Sequence, residues 1–195
     1  MSSTLFGKFF HLILLVIALI LVGCLPTTSE PPPTVQAVAD HAAVLHTVTA
    51  DQIHVLQDQS YGSGRIMLYE WHAENQHCLA SSYITPLNGN WQISDTLSLP
   101  CQQPGEFLAG YTNVSEIEAT LGTPRQTVAF GTSQAGNVVR VIWADGLVEQ
   151  VPLENGSFLT VRSGRYQIER VELIDSAGNL LNVEDWAIET AQVTG

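Results

Sequence analysis

The sequence predicts a mainly β protein in which two small antiparallel units follow one short helix. Short, partly alternating apolar runs fill the chain from about residue 64 onward, and glycine-containing turns interrupt them roughly every ten residues in the second half. That spacing is typical of an antiparallel meander in a β-sandwich or a small barrel. A chain of 195 residues is long enough for a real core in one or two such units.

The N-terminal segment has the composition of a targeting signal. Lys8, the only lysine of the chain, precedes an uncharged apolar run from Phe9 to Gly23. This run is short for a membrane-spanning helix, which needs about 20 residues, but it suits the apolar centre of a secretory signal. Residues 1–23 are therefore predicted to be a signal peptide.

The motif Leu21-Val22-Gly23-Cys24 resembles the lipobox of bacterial lipoproteins. The resemblance implies cleavage before Cys24, a thioether-linked diacylglycerol on its sulfur and often a further acyl chain, such as palmitate, on the new N-terminus. Two or more acyl chains hold a protein on a bilayer stably, whereas a single chain binds only marginally. The alternative is an uncleaved signal anchor in which Cys24 carries no lipid.

A proline-rich tether is predicted to follow the lipidated cysteine, so that the two together span residues 24–34. Leu25 to Thr34 contains four prolines among small polar residues. Such a chain favours polyproline II at about 3.1 Å per residue, which gives a spacer of roughly 30 Å. The expected location is the extracytoplasmic face of the cell membrane, with the folded part held away from the bilayer.

Residues 35–104 are predicted to form a helix packed on an antiparallel β unit. The helix is expected over about Val35 to Thr47, where apolar residues recur at helical spacing. The segments GRIMLYEW and CLASSYIT then have partly apolar residues on both faces, as in a covered sheet. Asn88-Gly89 favours the positive φ angles of a two-residue hairpin and leads into a third strand.

Residues 105–195 are predicted to form a second, sandwich-like antiparallel unit. Its turns are expected at Asp145-Gly146, Asn155-Gly156, Ser163-Gly164 and Asp175 to Gly178. This half is similar to small β modules of uncharacterised secreted bacterial proteins. The resemblance implies turn and core roles, and no activity, for the residues of its V-x-V-x-W-x-D-G, N-G-x-F and D-x-x-G-N motifs: Val139, Val141, Trp143, Asp145, Gly146, Asn155, Gly156, Phe158, Asp175, Gly178 and Asn179.

Cys78 and Cys101 are expected to form a structural disulfide. In a chain exported to an oxidising compartment two remaining cysteines should pair, and this bond would close a loop over the Asn88-Gly89 hairpin. The chain-entropy estimate gives a stabilisation of about 3 kcal/mol. A catalytic thiol would need an activating neighbour, and the adjacent His77 is better interpreted as a residue at a strand end.

The histidines and one serine motif are the other candidates for chemistry. His41 to His46 and His72 to His77 are spaced so that neither pair shares one face of a helix or strand, which leaves a zinc site only to tertiary convergence. Gly131 to Gly136, GTSQAG, resembles the G-x-S-x-G elbow of hydrolases imperfectly. Its last glycine is one position late, a strand follows it, and no histidine follows His77.

Glu70 and His72 are predicted to share a strand face, which permits a carboxylate–imidazole pair and hence an enzyme as one hypothesis. The alternative is that both are ordinary polar side chains on the exposed face of a strand, which explains the same pattern. The four tryptophans, Trp71, Trp91, Trp143 and Trp186, could line a binding face, but in a domain of this size they more often belong to the core. We therefore expect no catalytic residue, no metal ligand and no cofactor.

Composition narrows the functional classes. The chain has a formal net charge of −12 and lacks basic clusters and glycine-rich phosphate loops, so a nucleic-acid partner is not expected. The leading hypothesis is a membrane-anchored extracytoplasmic lipoprotein that acts as a non-enzymatic interaction module for a protein or peptide. The alternative is a lipoprotein that binds a small ligand or a cation.

Overall fold

A computed structural model describes residues 35–114 and 125–186. In these two ranges the chain forms one α-helix, a short 3₁₀ turn at Ala50–Gln52 and eleven β-strands. The mainly β fold class with one helix is confirmed. The predicted signal peptide, Cys24, the tether and the end of the C-terminal tail lie outside the described residues.

The strands form three antiparallel sheets, which we call the first, middle and outer sheets. Helix α1 spans Val35–His46. The first sheet has the order β1 (His54–Tyr61), β2 (Gly64–Ala73), β3 (Gln76–Leu87), β4 (Asn90–Ser98). The middle sheet has the order β5 (Leu108–Val114), β6 (Gln126–Thr132), β9 (Ser157–Ser163). The outer sheet has the order β11 (Leu180–Asp185), β10 (Ile168–Ile174), β7 (Val138–Trp143), β8 (Val148–Pro152).

The helix and the three sheets stack as four layers with an apolar cluster at each junction. Alternate residues of β2 serve two clusters, because successive strand side chains point to opposite faces. Met67, Tyr69 and Trp71 pack under α1, whereas Ile66 and Leu68 pack against the middle sheet. The expectation of a covered sheet is therefore confirmed for β2 and β3.

The middle sheet joins the two halves of the chain into one core. All residues of β6 are buried. Val128 and Phe130 contact the first sheet, while Ala129 packs with Val141 and Trp143 of the outer sheet. The described residues from Val35 onward belong to one compact unit, so the segments before and after Pro104 share buried surface.

Helix α1 ends within a residue of the predicted position, and the Asn88-Gly89 hairpin is present. Asn88 and Gly89 have φ angles of 53° and 80° and join β3 to β4. Strand β1 was not predicted, because its sequence HVLQDQSY is mostly polar and follows an alanine-rich stretch. It pairs with β2 at an edge of the first sheet, where polar residues are tolerated.

The predicted turns of the second half occur, but they do not all join hydrogen-bonded neighbours. Asp145-Gly146 joins β7 to β8 and the Asp175 turn joins β10 to β11, each pair within the outer sheet. Asn155-Gly156 and Ser163-Gly164 instead carry the chain into β9 of the middle sheet and back out of it. The result is a sandwich instead of a simple meander.

Residues of the motifs that were predicted to form turns and core are found in turns and in the core. Val139, Val141 and Trp143 are completely buried between the middle and outer sheets. Asp175 Oδ1 accepts the backbone N–H groups of Ala177 and Asn179 at 2.9 and 2.8 Å, which closes the turn before β11. Among the described residues there is no helix both long and apolar enough to span a membrane.

Candidate functional site

One side of β2 and β3 faces the middle sheet. Along this side the residues change from apolar to polar, and a polar cleft begins at that point. Glu70 and His72 continue the side that carries Ile66 and Leu68. The β2–β3 register places His72 directly opposite His77, with ring centroids 5.6 Å apart. Glu70 lies diagonally from His77, and its Oε2 is 2.7 Å from His77 Nε2.

As the sequence predicts, His72 and His77 do not share one strand. What the spacing alone does not indicate is that the tight β2–β3 turn makes the two residues cross-strand partners. Residues directly opposite on antiparallel strands have Cβ atoms only about 5 Å apart. Glu70 and His72 share a face as predicted, although the carboxylate pairs with His77.

Glu70 is an ionised group in this cleft. The hydrogen bond from His77 lowers the pKa of the Glu70 carboxyl below 4.5, and the histidines His77, His72 and His54 lower it further, while burial opposes them. An ionised carboxylate can only accept hydrogen bonds, so His77 Nε2 must be the donor.

The disulfide forms the second wall of the cleft. Cys78 is bonded to Cys101, as predicted. Beside this bond, His77 and Gln102 exchange two backbone hydrogen bonds of 2.8 and 2.9 Å. The segment that follows, Pro104 to Glu106, lines the cleft opposite the β2–β3 hairpin. A covalent bond and a two-bond bridge thus hold this loop in position.

The third wall comes from the sandwich. Thr132 ends β6, Ser133 and Gln134 follow it, and Asn155-Gly156 forms the turn before β9. The N–H of Ser133 donates to the carbonyl of Gly156 at 2.8 Å, which joins these two segments. The complete cleft has a volume of about 450 Å³ and opens to solvent.

Ser133 lies in this cleft, which sequence reasoning missed. No histidine follows Ser133 in the chain, but the fold brings this serine to the cleft of the earlier His72 and His77. Ser133 Oγ accepts the N–H of Ala135 at 3.1 Å, which is a turn role. As the sequence predicts, β7 and no helix follows the motif.

Thr132 has an unsatisfied polar atom. The residue is only 7% exposed, and its Oγ1 has no hydrogen-bond partner in the part of the chain that the structure describes. A buried hydroxyl without a partner costs about 1–3 kcal/mol.

Within residues 35–114 and 125–186, there is no group of three or more His, Cys, Asp and Glu side chains that could hold a metal ion.

A second surface of interest is the solvent side of the outer sheet, which we call the open face. The register places Arg140, Glu172 and Val183 side by side across β7, β10 and β11. Glu172 is buried beneath two partly exposed arginines. Arg170 Nε contacts its Oε1 at 2.9 Å, and Arg140 forms the other ion pair.

Strand β11 closes one edge of the outer sheet and exposes apolar side chains. Leu180, Leu181 and Val183 are 54%, 46% and 36% exposed. Leu180 and Val183 point to the open face, opposite Ile174 and Glu172 of β10. The strand is tied at its end by the Trp186 N–H, which donates to the Glu169 carbonyl at 2.8 Å.

The tryptophans contribute mainly to packing. Trp143 is completely buried, and Trp71 is 5% exposed and stacks on His46 with ring centroids 3.8 Å apart. Trp91 packs partly buried against the cluster under α1. Trp186 contacts Tyr111 edge to face at 5.2 Å. Of the four tryptophans, Trp71 and Trp143 agree best with the prediction that these residues belong to the core.

A scan against protein-family models and searches of curated proteins and of solved structures found no match for this chain. The class defined by the described residues is a layered antiparallel β protein with a Cys78–Cys101 disulfide. The described features that bear on function are the cleft, the open face and the β11 edge.

Proposed function

We propose that this protein is a lipid-anchored extracytoplasmic interaction module that binds an extended peptide segment of a partner protein along β11. The observation that carries the proposal is the exposure of Leu180, Leu181 and Val183 on an edge strand. Sheet edges of soluble proteins are usually protected by lysine, proline or a covering segment. Within its six residues β11 contains neither a lysine nor a proline.

Strand addition is the binding mode that fits this edge. An extended peptide can pair its backbone with an exposed strand while its alternate side chains contact one face of the sheet. On that face the peptide would meet Leu180 and Val183. The Val183 N–H, which donates to Asn182 Oδ1 at 2.8 Å, would exchange this local bond for one to the partner.

Charge favours a partner segment that combines apolar and basic residues. Strand β11 ends with Glu184 and Asp185 and has no basic residue of its own, although Arg170 of β10 lies opposite Asp185. The chain as a whole has a net charge of −12. A basic side chain in the partner would therefore approach a favourable potential, which speeds association and helps to exclude acidic partners.

The membrane anchor is part of the proposal and rests on the lipobox resemblance. We expect Cys24→Ser to move the protein from the membrane fraction to the soluble fraction, because the lipid would be lost. Fractionation of cells, with the mass of the mature N-terminal peptide, measures this. An unmodified Cys24 in the membrane-bound wild-type protein would contradict the anchor.

Site-specific photo-cross-linking in intact cells tests the binding surface. A photoreactive residue at position 181 should capture one dominant partner, whereas the same residue at Val44, which is 83% exposed on α1, should not. Introducing Val183→Pro should remove the captured product, because proline cannot donate a hydrogen bond to an added strand. Equal capture from both positions, or capture that persists in V183P, would overturn the proposal.

A further inference from the structure

We propose that the cleft between the β2–β3 hairpin, the disulfide-held loop and the end of β6 binds a small hydroxylated amine. The site is separate from β11 and does not depend on the proposed peptide binding. Three observations support it: the charge of the lining residues, an unpartnered buried hydroxyl, and walls that are held in place before any ligand arrives.

The lining charge selects a cation. The described residues around the cleft include two carboxylates, Glu70 and Glu106, and two histidines, His72 and His77, but neither an arginine nor a lysine. Glu70 Oε2 is engaged by His77, and the hydrogen bond keeps the carboxylate in one orientation. An ammonium group can approach the same carboxylate, and such charge-assisted hydrogen bonds are about twice as strong as neutral ones.

The neutral polar groups select hydroxyls. Thr132 lines the cleft, and its Oγ1 is buried without a partner within the described residues, so a rotation of this side chain that let a ligand hydroxyl reach the atom would remove an existing cost. Gln134 and Asn155 add amide groups that can both donate and accept hydrogen bonds. A molecule with one ammonium and several hydroxyl groups satisfies this set better than a hydrocarbon amine.

The walls are largely preformed. The Cys78–Cys101 disulfide and the His77–Gln102 bridge hold one side of the cleft, and the Ser133–Gly156 hydrogen bond holds the other side. Sites that are ordered before binding lose less conformational entropy when the ligand arrives. The volume of about 450 Å³ lies within the range of about 300–1,000 Å³ that is usual for small-molecule sites.

Titration calorimetry of the full-length protein in detergent micelles tests the class of ligand. The probes are glucosamine, galactosamine, ethanolamine and Tris, with glucose and N-acetylglucosamine as uncharged comparisons of similar shape. We expect at least one hydroxylated amine to bind, and the matching uncharged sugar to bind roughly tenfold or more weakly. Equal binding of glucose and glucosamine, or no binding of any amine at about 10 mM, would overturn the proposal.

Two variants locate the site, and a third serves as the control. Glu70→Gln should weaken amine binding by roughly tenfold, because a charged acceptor becomes neutral. Thr132→Val should weaken it while leaving the melting temperature unchanged or higher, because an unsatisfied hydroxyl is replaced by a methyl group of similar size. Glu169→Gln, an exposed carboxylate on β10, is the matched control and should leave binding unchanged.

The T132V variant separates binding from folding. A folded protein with undiminished amine affinity in both E70Q and T132V would place the ligand elsewhere and reject the site. Loss of affinity in E169Q to the same extent would show a general charge effect and would also reject it. Weaker binding in the two cleft variants alone, with intact melting curves, supports the proposal.

Discussion

Gly131 shows how tightly the middle sheet is packed at the level of one residue. A Cβ atom at this position would lie 2.2 Å from the Leu108 carbonyl oxygen and 2.4 Å from the Phe158 ring. Both neighbours are held in the core, so neither can move away easily. The glycine of GTSQAG is thus required by packing between β5, β6 and β9.

We expect Gly131→Ala to lower the free energy of unfolding by about 1–3 kcal/mol, which is typical of overpacking in a core. Urea unfolding at neutral pH measures the effect. Gly146→Ala provides a comparison, since its added methyl group meets no atom within 4 Å and would only strain a positive φ of 84°. An unchanged unfolding midpoint in G131A would contradict the packing argument.

His46 couples the helix to the first sheet. Its ring stacks on Trp71 and its Nε2 lies 3.3 Å from Tyr69 Oη. Burial lowers the pKa of His46 below 6.5, and the nearby His41 lowers it further. The unfolded chain therefore binds a proton at this histidine more readily than the folded protein does.

The sign of the pH effect follows from this difference. The contribution of His46 to stability is complete above about pH 6.5 and is lost as the pH falls through its lowered folded pKa. Urea midpoints measured between pH 5 and 8 should decline towards acid less steeply in His46→Phe than in the wild type. Parallel curves for the two proteins would show that His46 is not the group responsible.

At the scale of elements, the disulfide connects a covalent constraint to the shape of the cleft. Cys101 joins β3 through Cys78, and the following residues reach the cleft wall after only a few positions. Gln102 pairs with His77, the residue that orients Glu70. The loop and the acid–imidazole pair are therefore parts of one local arrangement.

The double variant C78A/C101A should be less stable by about 3 kcal/mol, in line with the entropy of the opened loop. It should also bind the proposed amine more weakly, because the wall at Pro104 to Glu106 would lose its anchor. Unfolding curves and calorimetry on the same preparation measure both effects. Unchanged stability in the double variant would contradict a structural role for the bond.

At the scale of the whole molecule, the middle sheet makes the two halves depend on each other. Ile66 and Leu68 of the first sheet are buried by Val128 and Phe130 of β6. Gln57 Nε2 adds a polar link by donating to the carbonyl of Ser157 at 2.9 Å. Each half made alone would expose one side of an apolar sheet to water.

We expect neither fragment 35–104 nor fragment 105–195 to fold alone, whereas residues 35–195 should unfold in a single transition. Circular dichroism and limited proteolysis of the separate fragments measure this. A fragment that unfolds cooperatively by itself would show that the interface between the first and middle sheets is not essential. Mixing the fragments and recovering the native signal would support the shared core.

Features encoded by neighbouring residues were predictable from the sequence. The bounds of α1 follow from helical spacing, and the Asn88-Gly89 hairpin follows from the φ preferences of its two residues. The Cys78–Cys101 bond follows from the number of cysteines expected in an exported chain. Each of these depends on a short segment or on a simple count, so no knowledge of packing was needed.

The sequence by itself determined the mainly β class, the helix and the positions of most turns, because propensity and turn chemistry are local properties. Only the tertiary structure decided that β9 joins β6 and that Ser133 meets the cleft of His72 and His77. Those contacts join residues far apart in the chain. They arise because three sheets must bury their apolar faces together, a condition that no single segment of the sequence expresses.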